Sequence, residues 1–228
     1  MLQMMLSIDN RNCYIMRSGN TDTVVYLGIH SNGKEQAEKI KHELDKRIKD
    51  YAVIAYEANE WFVDYSPWKA PAAFGDTNFA GNGKNTLEWL IKHCIYECDK
   101  EMACTFSRRM LAGYSLAGLF SLWALYESDI FDGGAICSGS LWFPGWERYI
   151  STNNIKRYMD IYLSLGTKEE NTKNAFMSSV GDMTRKQYEM LKNNEYIKHT
   201  ALEWNNGGHF TNPEERIAKG IAWLYTRR

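Results

Sequence analysis

The chain has 228 residues, of which 44% are hydrophobic and 24% are charged, and its formal net charge is -1. This length and balance are typical of one folded domain with a sizeable core, and they exclude a disordered chain. A nearly neutral chain without long runs of like charge gives no indication of nucleic-acid binding or of attachment to an anionic membrane. We therefore expect a single domain over residues 1–228, with no nucleic-acid or membrane partner.

The N-terminus and the cysteines bear on location. The first nine residues lack a basic segment and reach Asp9 too early for a secretory signal, and no later apolar run is long enough to span a bilayer. Five cysteines without framework spacing favour free thiols in a reducing compartment. Cys94 and Cys98 lie near His93, but no second cluster of metal ligands accompanies them. We expect a cytoplasmic protein without a metal or an organic cofactor.

Strands and helices alternate along the chain after an N-terminal hairpin. Apolar, β-branched runs predict strands at residues 2–8, 13–16, 23–29, 51–56, 108–113, 134–138, 160–165 and 200–204. Helical periodicity predicts helices at residues 34–49, 86–100 and 116–127, within 174–191, and from Pro213 onward with Asn212 as the N-cap and Glu215 completing a capping box. This alternation predicts parallel crossovers and an α/β layer fold.

A long irregular stretch, residues 57–84, follows one of the buried strands and carries several large aromatic residues. Loops of this length are uncommon unless they have a function, and open α/β sheets bind ligands beyond the carboxyl ends of their strands. Trp68 on this stretch, and Trp142 and Trp146 on the loop after residues 134–138, are therefore candidates for the wall of a substrate pocket. Aromatic residues that only pin a loop to the body are an equally common alternative.

Residues 110–120, with the sequence MLAGYSLAGLF, predict a strand, a tight turn and a helix, with Ser115 at the turn. This is the context of a nucleophile elbow, in which the next amide, here that of Leu116, faces a developing oxyanion. Gly113 suits a turn with unusual backbone angles. Ala117 replaces the second glycine of the G-x-S-x-G pattern, and its small side chain still allows close approach. An unreactive serine in a small-residue connection is the alternative.

Three predicted strands are each followed, just past the carboxyl end, by a polar side chain. In chain order these are a serine, an acid and a histidine: Ser115, Glu169 or Glu170, and His209. This is the order of α/β-hydrolase triads. Serine needs a histidine to take its proton, and a carboxylate holds that imidazole in the required tautomer. Adjacent positions leave the choice between Glu169 and Glu170 open.

The strand at residues 23–29 has the exit loop that supplies the second oxyanion donor in this fold. Ile29 at the end of this strand is the candidate second donor, beside Leu116. His30, directly after it, is a candidate substrate contact. His42 and His93 lie on predicted helices, so they do not compete with His209.

Several segments together resemble the putative-esterase family of α/β-hydrolases, which includes esterase D and the enterochelin esterases. They are GYSLAGLF at 113–120, SGSLWFP at 138–144, GTKE at 166–169, GGHF at 207–210 and AKGIAW at 218–223. The resemblance runs from about Ser66 to the end of the chain. It implies a three-layer α/β-hydrolase fold, with a mostly parallel central sheet and helices on both faces. It also implies that Ser115 is the nucleophile, His209 the base and Glu169 the acid, and it implies alanine at position 117.

The function expected from the sequence is hydrolysis of carboxylic esters through an acyl-serine intermediate, with a small-molecule ester as substrate. One alternative keeps the triad but makes the protein an acyltransferase or a peptidase. Another is a hydrolase-like binding module without catalysis. The acyl and alcohol parts of the substrate stay open, as does assembly into homo-oligomers.

Overall fold

The computed structural model describes residues 4–227. Its strands are β1 (Met4–Ile8), β2 (Arg11–Ser18), β3 (Thr23–Ile29), β4 (Tyr51–Glu57), β5 (Lys69–Ala70), β6 (Phe79–Ala80), β7 (Arg108–Tyr114), β8 (Gly133–Cys137), β9 (Met159–Gly166) and β10 (Ile197–Asn205). Eight of them form the central sheet in the order β1-β2-β4-β3-β7-β8-β9-β10, and β5 pairs with β6 alone. The six strands from β4 to β10 in that order are parallel, while β2 is antiparallel to both β1 and β4.

The helices are α1 (Lys34–Asp45), α2 (Trp61–Asp64), α3 (Gly83–Trp89), α4 (Ile95–Glu101), α5 (Ser115–Glu127), α6 (Trp146–Thr152), α7 (Val180–Lys192) and α8 (Pro213–Tyr225). A π-helical turn, Leu90–Cys94, joins α3 to α4. In the part of the chain between residues 4 and 227, no helix combines the length and the apolar character needed to cross a membrane.

Helices cover both faces of the sheet because successive strand side chains point to opposite sides. In β3, Val24 and Tyr26 belong to the core that contains α5, whereas Val25 and Leu27 belong to the core formed with α1 and α8. Both sets are fully buried. The predicted three-layer fold with a mostly parallel sheet is thereby confirmed.

The N-terminal hairpin is confirmed, with a tighter turn than the sequence suggested. Ile8 pairs with Arg11, so only Asp9 and Asn10 form the turn, at φ of 49° and 64°. Both residue types tolerate the left-handed region, which two-residue hairpin turns require. Residues 2 and 3 of the predicted first strand lie outside the described residues.

Two local predictions were wrong, and one helix was not predicted. Helix α1 ends at Asp45 rather than at residue 49, although Ile48 still packs against the core. Residues 146–152 form α6, a helix that the sequence analysis did not predict. Asn212 precedes α8 in the left-handed region, at φ of 50°, and makes no side-chain cap. Its amide instead donates to the Glu215 carboxylate at 3.2 Å, so the capping box does not form.

The connection from β7 to α5 brings strand and helix backbones into close contact. A Cβ added at Gly113 would lie 2.2 Å from the carbonyl oxygen of Ala117. Gly113 is required for this space and not for an unusual angle, because the positive φ, 57°, belongs to Ser115. The small side chain of Ala117 is buried, as the close approach demands.

We predict that Gly113→Ala lowers the free energy of unfolding by at least about 1–3 kcal/mol, because backbone atoms cannot move aside for the methyl group. Gly208→Ala is the matched control, since no atom lies near its added Cβ and its φ is not positive. The control should stay within about 0.5 kcal/mol of the parent protein. Urea denaturation measures both, and equal small effects would contradict the steric account.

Candidate active site

Parallel pairing places the ends of β7, β9 and β10 at one edge of the sheet, since the carboxyl ends of parallel strands point the same way. Ser115 directly follows β7, Glu169 follows β9 by three residues, and His209 follows β10 by four residues. Residues far apart in sequence therefore meet at this edge. Within residues 4–227, no group of three or more histidine, cysteine, aspartate or glutamate side chains is arranged to hold a metal ion.

The three side chains form one hydrogen-bonded chain. His209 Nδ1 lies 2.7 Å from Glu169 Oε2, and His209 Nε2 lies 3.0 Å from Ser115 Oγ. A carboxylate can only accept, so Nδ1 carries the proton and Nε2 is left to accept the serine hydroxyl proton. The imidazole is 22% exposed and the glutamate side chain 3%. The imidazole therefore remains accessible while the carboxylate is enclosed.

The Glu169 carboxylate uses its two oxygens differently. Oε2 faces His209, while Oε1 accepts from the Gly166 N–H and the Ser138 hydroxyl, each at 2.7 Å. Burial alone would raise the pKa of this carboxyl group. Hydrogen bonds from His209, Ser138 and Gly166 outweigh burial and hold the pKa of Glu169 below its ordinary value. The group is consequently ionised at neutral pH.

Glu170 points away from this chain of hydrogen bonds. Its two carboxylate oxygens each lie 3.0 Å from a guanidinium nitrogen of Arg185, in an exposed bidentate pair. The geometry thus separates the two adjacent glutamates, which the sequence order alone did not.

Four further residues contact the three side chains, and sequence reasoning missed them: Tyr114, Ser138, Ser140 and Arg216. The Tyr114 hydroxyl donates to the backbone carbonyl of His209 at 2.6 Å, and burial raises the pKa of Tyr114 to about 12. Ser140 donates its N–H to the Ser115 carbonyl at 3.0 Å, with the two hydroxyl oxygens 3.4 Å apart.

Arg216 carried a signal in the sequence that could have identified it. It lies beside Ile217 on the inner face of α8, and both residues are buried. A charged residue on an otherwise apolar helix face is rarely buried unless it is paired, which indicates an internal ion pair.

The structure corrects the expectation that Ile29 provides an oxyanion donor. Its carbonyl accepts from the N–H of Ala58, just past β4, at 3.0 Å. In a parallel strand the N–H and C=O of one residue face the same neighbouring strand, so the N–H of Ile29 also faces β4 and not Ser115. Leu116 is in the first turn of α5, where N–H groups have no acceptor within the helix.

The imidazole of His30 stacks on Trp61, with ring centroids 3.6 Å apart and an interplanar angle of 11°. Partial burial lowers the pKa of His30. The side chain is therefore neutral at pH 7, and it lies on the loop that leaves β3 beside the candidate site.

The three candidate tryptophans occupy different environments. Trp146 is fully buried among aromatic rings, with Tyr149 at 5.4 Å, so it is a core residue and not part of a pocket wall. Trp68 is half-buried, and its ring N–H donates to the Pro144 carbonyl at 2.9 Å, which pins residues 57–84 to the loop after β8. Trp142 is half-buried beside the exposed ring of Phe74, 6.5 Å away. Of the three tryptophans, Trp142 is the one that lies beside an exposed aromatic ring, so it remains the candidate for a pocket wall.

We predict that Trp146→Ala lowers the free energy of unfolding by about 3–5 kcal/mol, because it leaves a large cavity in the core. Trp142→Ala is the matched control on the same segment and should cost clearly less. Chemical denaturation of both variants tests the assignment. Similar losses for the two would contradict the different environments of the rings.

Comparisons with known proteins agree with this architecture. A family model described as "Putative esterase" matches residues 9–212. A search among curated protein sequences finds no match.

Among solved structures, an IroE-like serine hydrolase from Shewanella oneidensis is 16% identical, with a TM-score of 0.79 over 95% of this chain and 76% of that chain. The siderophore hydrolase EstA from Aspergillus nidulans is 18% identical, with a TM-score of 0.74 over 95% of this chain and 90% of that chain. The enterochelin esterase from Shigella flexneri is 15% identical, with a TM-score of 0.69 over 97% of this chain and 57% of that chain.

These structural similarities, at low identity, concern the fold. The family match spans most of the chain, from Asp9 to Asn212. The chain therefore belongs to the Putative esterase family, with an α/β-hydrolase fold and with ester hydrolysis as the family's general reaction.

Proposed function

We propose that the protein is a serine hydrolase that cleaves carboxylic esters, with Ser115 as nucleophile, His209 as base and Glu169 as the acid partner. The observation that carries the proposal is the continuous hydrogen-bonded chain, 3.0 Å from Ser115 to His209 and 2.7 Å from His209 to Glu169. The left-handed φ of Ser115, 57°, supports it, since a nucleophile elbow holds its serine on a strained turn. Membership of an esterase family supports the ester as substrate class.

In the acylation step, Ser115 Oγ attacks the ester carbonyl carbon while its proton moves to His209 Nε2. The new C–O bond converts the carbonyl oxygen into an oxyanion, and Glu169 stabilises the imidazolium. When the tetrahedral intermediate collapses, the bond to the alcohol oxygen breaks and His209 returns the proton to that oxygen. An acyl-serine remains.

Two backbone N–H groups are proposed to stabilise the oxyanion. The first belongs to Leu116, at the N-terminus of α5, where the helix dipole also favours negative charge. The second belongs to His30. The peptide that joins Ile29 to His30 is trans, and its C=O is directed at β4. Its N–H is therefore directed to the opposite side, where β7 and Ser115 lie.

Deacylation repeats these steps with water as the nucleophile, which releases the acid and regenerates Ser115. We propose that the substrate is a small-molecule ester, bordered by the Trp142 and His30 side chains at the open edge of the site. We also propose that the protein is cytoplasmic. Product analysis with water against added alcohols or amines distinguishes hydrolysis from acyl transfer or amide cleavage.

We predict that Ser115→Ala leaves the fold intact and lowers kcat for p-nitrophenyl acetate by roughly 10⁴- to 10⁶-fold, because no nucleophile remains. Circular dichroism and thermal melting check that the variant is folded. If the folded variant and the parent protein hydrolyse the ester at equal rates, the protein is a binding module or uses another site.

We predict that Glu169→Gln lowers kcat by roughly 10⁴-fold, since it keeps the shape of the side chain but removes the charge that stabilises the imidazolium. Glu170→Gln is the adjacent control and should remain near the parent rate, because its exposed pair with Arg185 contributes little. Steady-state kinetics of both variants decide the point. An inactive Glu170→Gln beside an active Glu169→Gln would reverse the assignment.

A further inference from the structure

Arg216 is a buried cation in contact with the acid of the proposed triad. Its side chain is 2% exposed, and Nη1 donates to Glu169 Oε1 at 2.9 Å. Its other terminal nitrogen, Nη2, donates to the backbone carbonyls of Asn206 at 3.2 Å and Gly208 at 3.1 Å. One planar guanidinium therefore joins the loop that carries Glu169 to the loop that carries His209.

Nη1 also reaches two of the other residues that surround the triad. It lies 3.2 Å from the hydroxyl oxygens of both Ser138 and Tyr114. Ser138 donates in turn to Glu169, and Tyr114 donates to the carbonyl of His209. Arg216 is thus the centre of a network in which every other side chain touches the acid or the base.

This network fixes the rotation of the Glu169 carboxylate. Oε1 accepts from three donors, the N–H of Gly166, the hydroxyl of Ser138 and the guanidinium of Arg216. Oε2 has one hydrogen-bond partner within residues 4–227, the imidazole of His209. A carboxylate held at one oxygen by three donors cannot turn without losing them. Oε2 is therefore presented to Nδ1 in one orientation.

Backbone hydrogen bonds between the two loops set their general course. The Thr167 N–H donates to the Asn205 carbonyl at 2.8 Å, and the Lys168 N–H donates to the Gly207 carbonyl at 3.0 Å. These bonds do not reach the carboxylate or the residue directly before His209. Arg216 does both, through Glu169 and through the Gly208 carbonyl.

We propose that Arg216 is a positioning residue for catalysis, which holds the Glu169 carboxylate in the one orientation that presents Oε2 to His209 Nδ1. The proposal rests on the proposed function of Ser115, Glu169 and His209. Arg216 does not contact the reacting atoms, and it acts through Glu169. Its loss is expected to lower kcat and to leave KM nearly unchanged.

Stability alone does not distinguish this role from that of an ordinary buried ion pair, because breaking any such pair leaves an unpaired charge in the interior. A double-mutant cycle does distinguish them. If Arg216 acts through Glu169, its replacement matters only while Glu169 carries its charge. A general loosening of the fold would lower the rate by the same factor in both backgrounds.

The test compares Arg216→Met in the parent protein and in Glu169→Gln, with steady-state hydrolysis of p-nitrophenyl acetate below the melting temperature of each variant. In the parent protein, we expect kcat to fall roughly 10²-fold, the effect of a small misplacement of catalytic groups, with KM within about 3-fold. In the Glu169→Gln background, the further fall should be less than about 3-fold. An equal fall in both backgrounds, or an unchanged kcat in the parent, would overturn the proposal.

Arg11→Met is the control. Arg11 is a similarly buried arginine, paired with Asp64 at 3.1 Å away from the triad, so its replacement should lower stability and leave kcat within about 3-fold. If Arg216→Met does not fold, Arg216→Lys is used in its place, because it keeps a buried cation. The same double-mutant cycle and the same criterion then apply. Failure of the proposed function is recognised separately, because the parent protein and Ser115→Ala would then hydrolyse the ester equally, which overturns both proposals.

Discussion

The close approach of β7 to α5 at Gly113 sets the position of Ser115, and the remainder of the candidate site is arranged around that serine. The strand and helix backbones touch at a point where a single methyl group would lie 2.2 Å from a carbonyl oxygen. At this turn Ser115 lies in the left-handed region, at φ of 57°. This conformation costs free energy, of the order of 1–3 kcal/mol, and persists because both flanking elements are buried in the core. Ser115 is thereby held on rigid elements, while its hydroxyl remains at the sheet edge.

A second constraint concerns charge. A carboxylate whose side chain is 3% exposed is stable in the interior only if hydrogen bonds and a cation compensate for lost hydration. The Glu169 side chain has both, from Ser138, Gly166 and Arg216. The same contacts that make the buried charge tolerable also determine which oxygen faces His209. Stability and positioning therefore have a common physical origin at this site.

Much of this arrangement could be predicted from sequence because its signals are local. The strands before Ser115, Glu169 and His209 are short apolar runs, and the end of a parallel strand is enough to place a residue at the sheet edge where the candidate site lies. The direction of a peptide group is a different matter. The N–H of Ile29 faces β4 because of the register between two strands, and that register depends on residues distant in the chain.

Ring burial and ion pairing were also beyond local patterns. The indole of Trp146 is enclosed by rings from other segments, among them Trp68 on the long irregular stretch, and sequence position could not distinguish it from the partly open Trp142. Glu169 and Glu170 have the same local context, and only the location of His209 and Arg185 separates them. Arg216 was predictable in kind, as a charge on an apolar helix face, but its partner was not.

The most direct test of the central claim, that Ser115 is an activated nucleophile, is covalent labelling with a fluorophosphonate followed by peptide mapping with mass spectrometry. The hydrogen-bonded chain predicts one modified residue, Ser115, and no labelling after denaturation. Absence of labelling in the folded protein, or modification of a neighbour such as Ser140, whose hydroxyl oxygen is 3.4 Å away, would contradict the account.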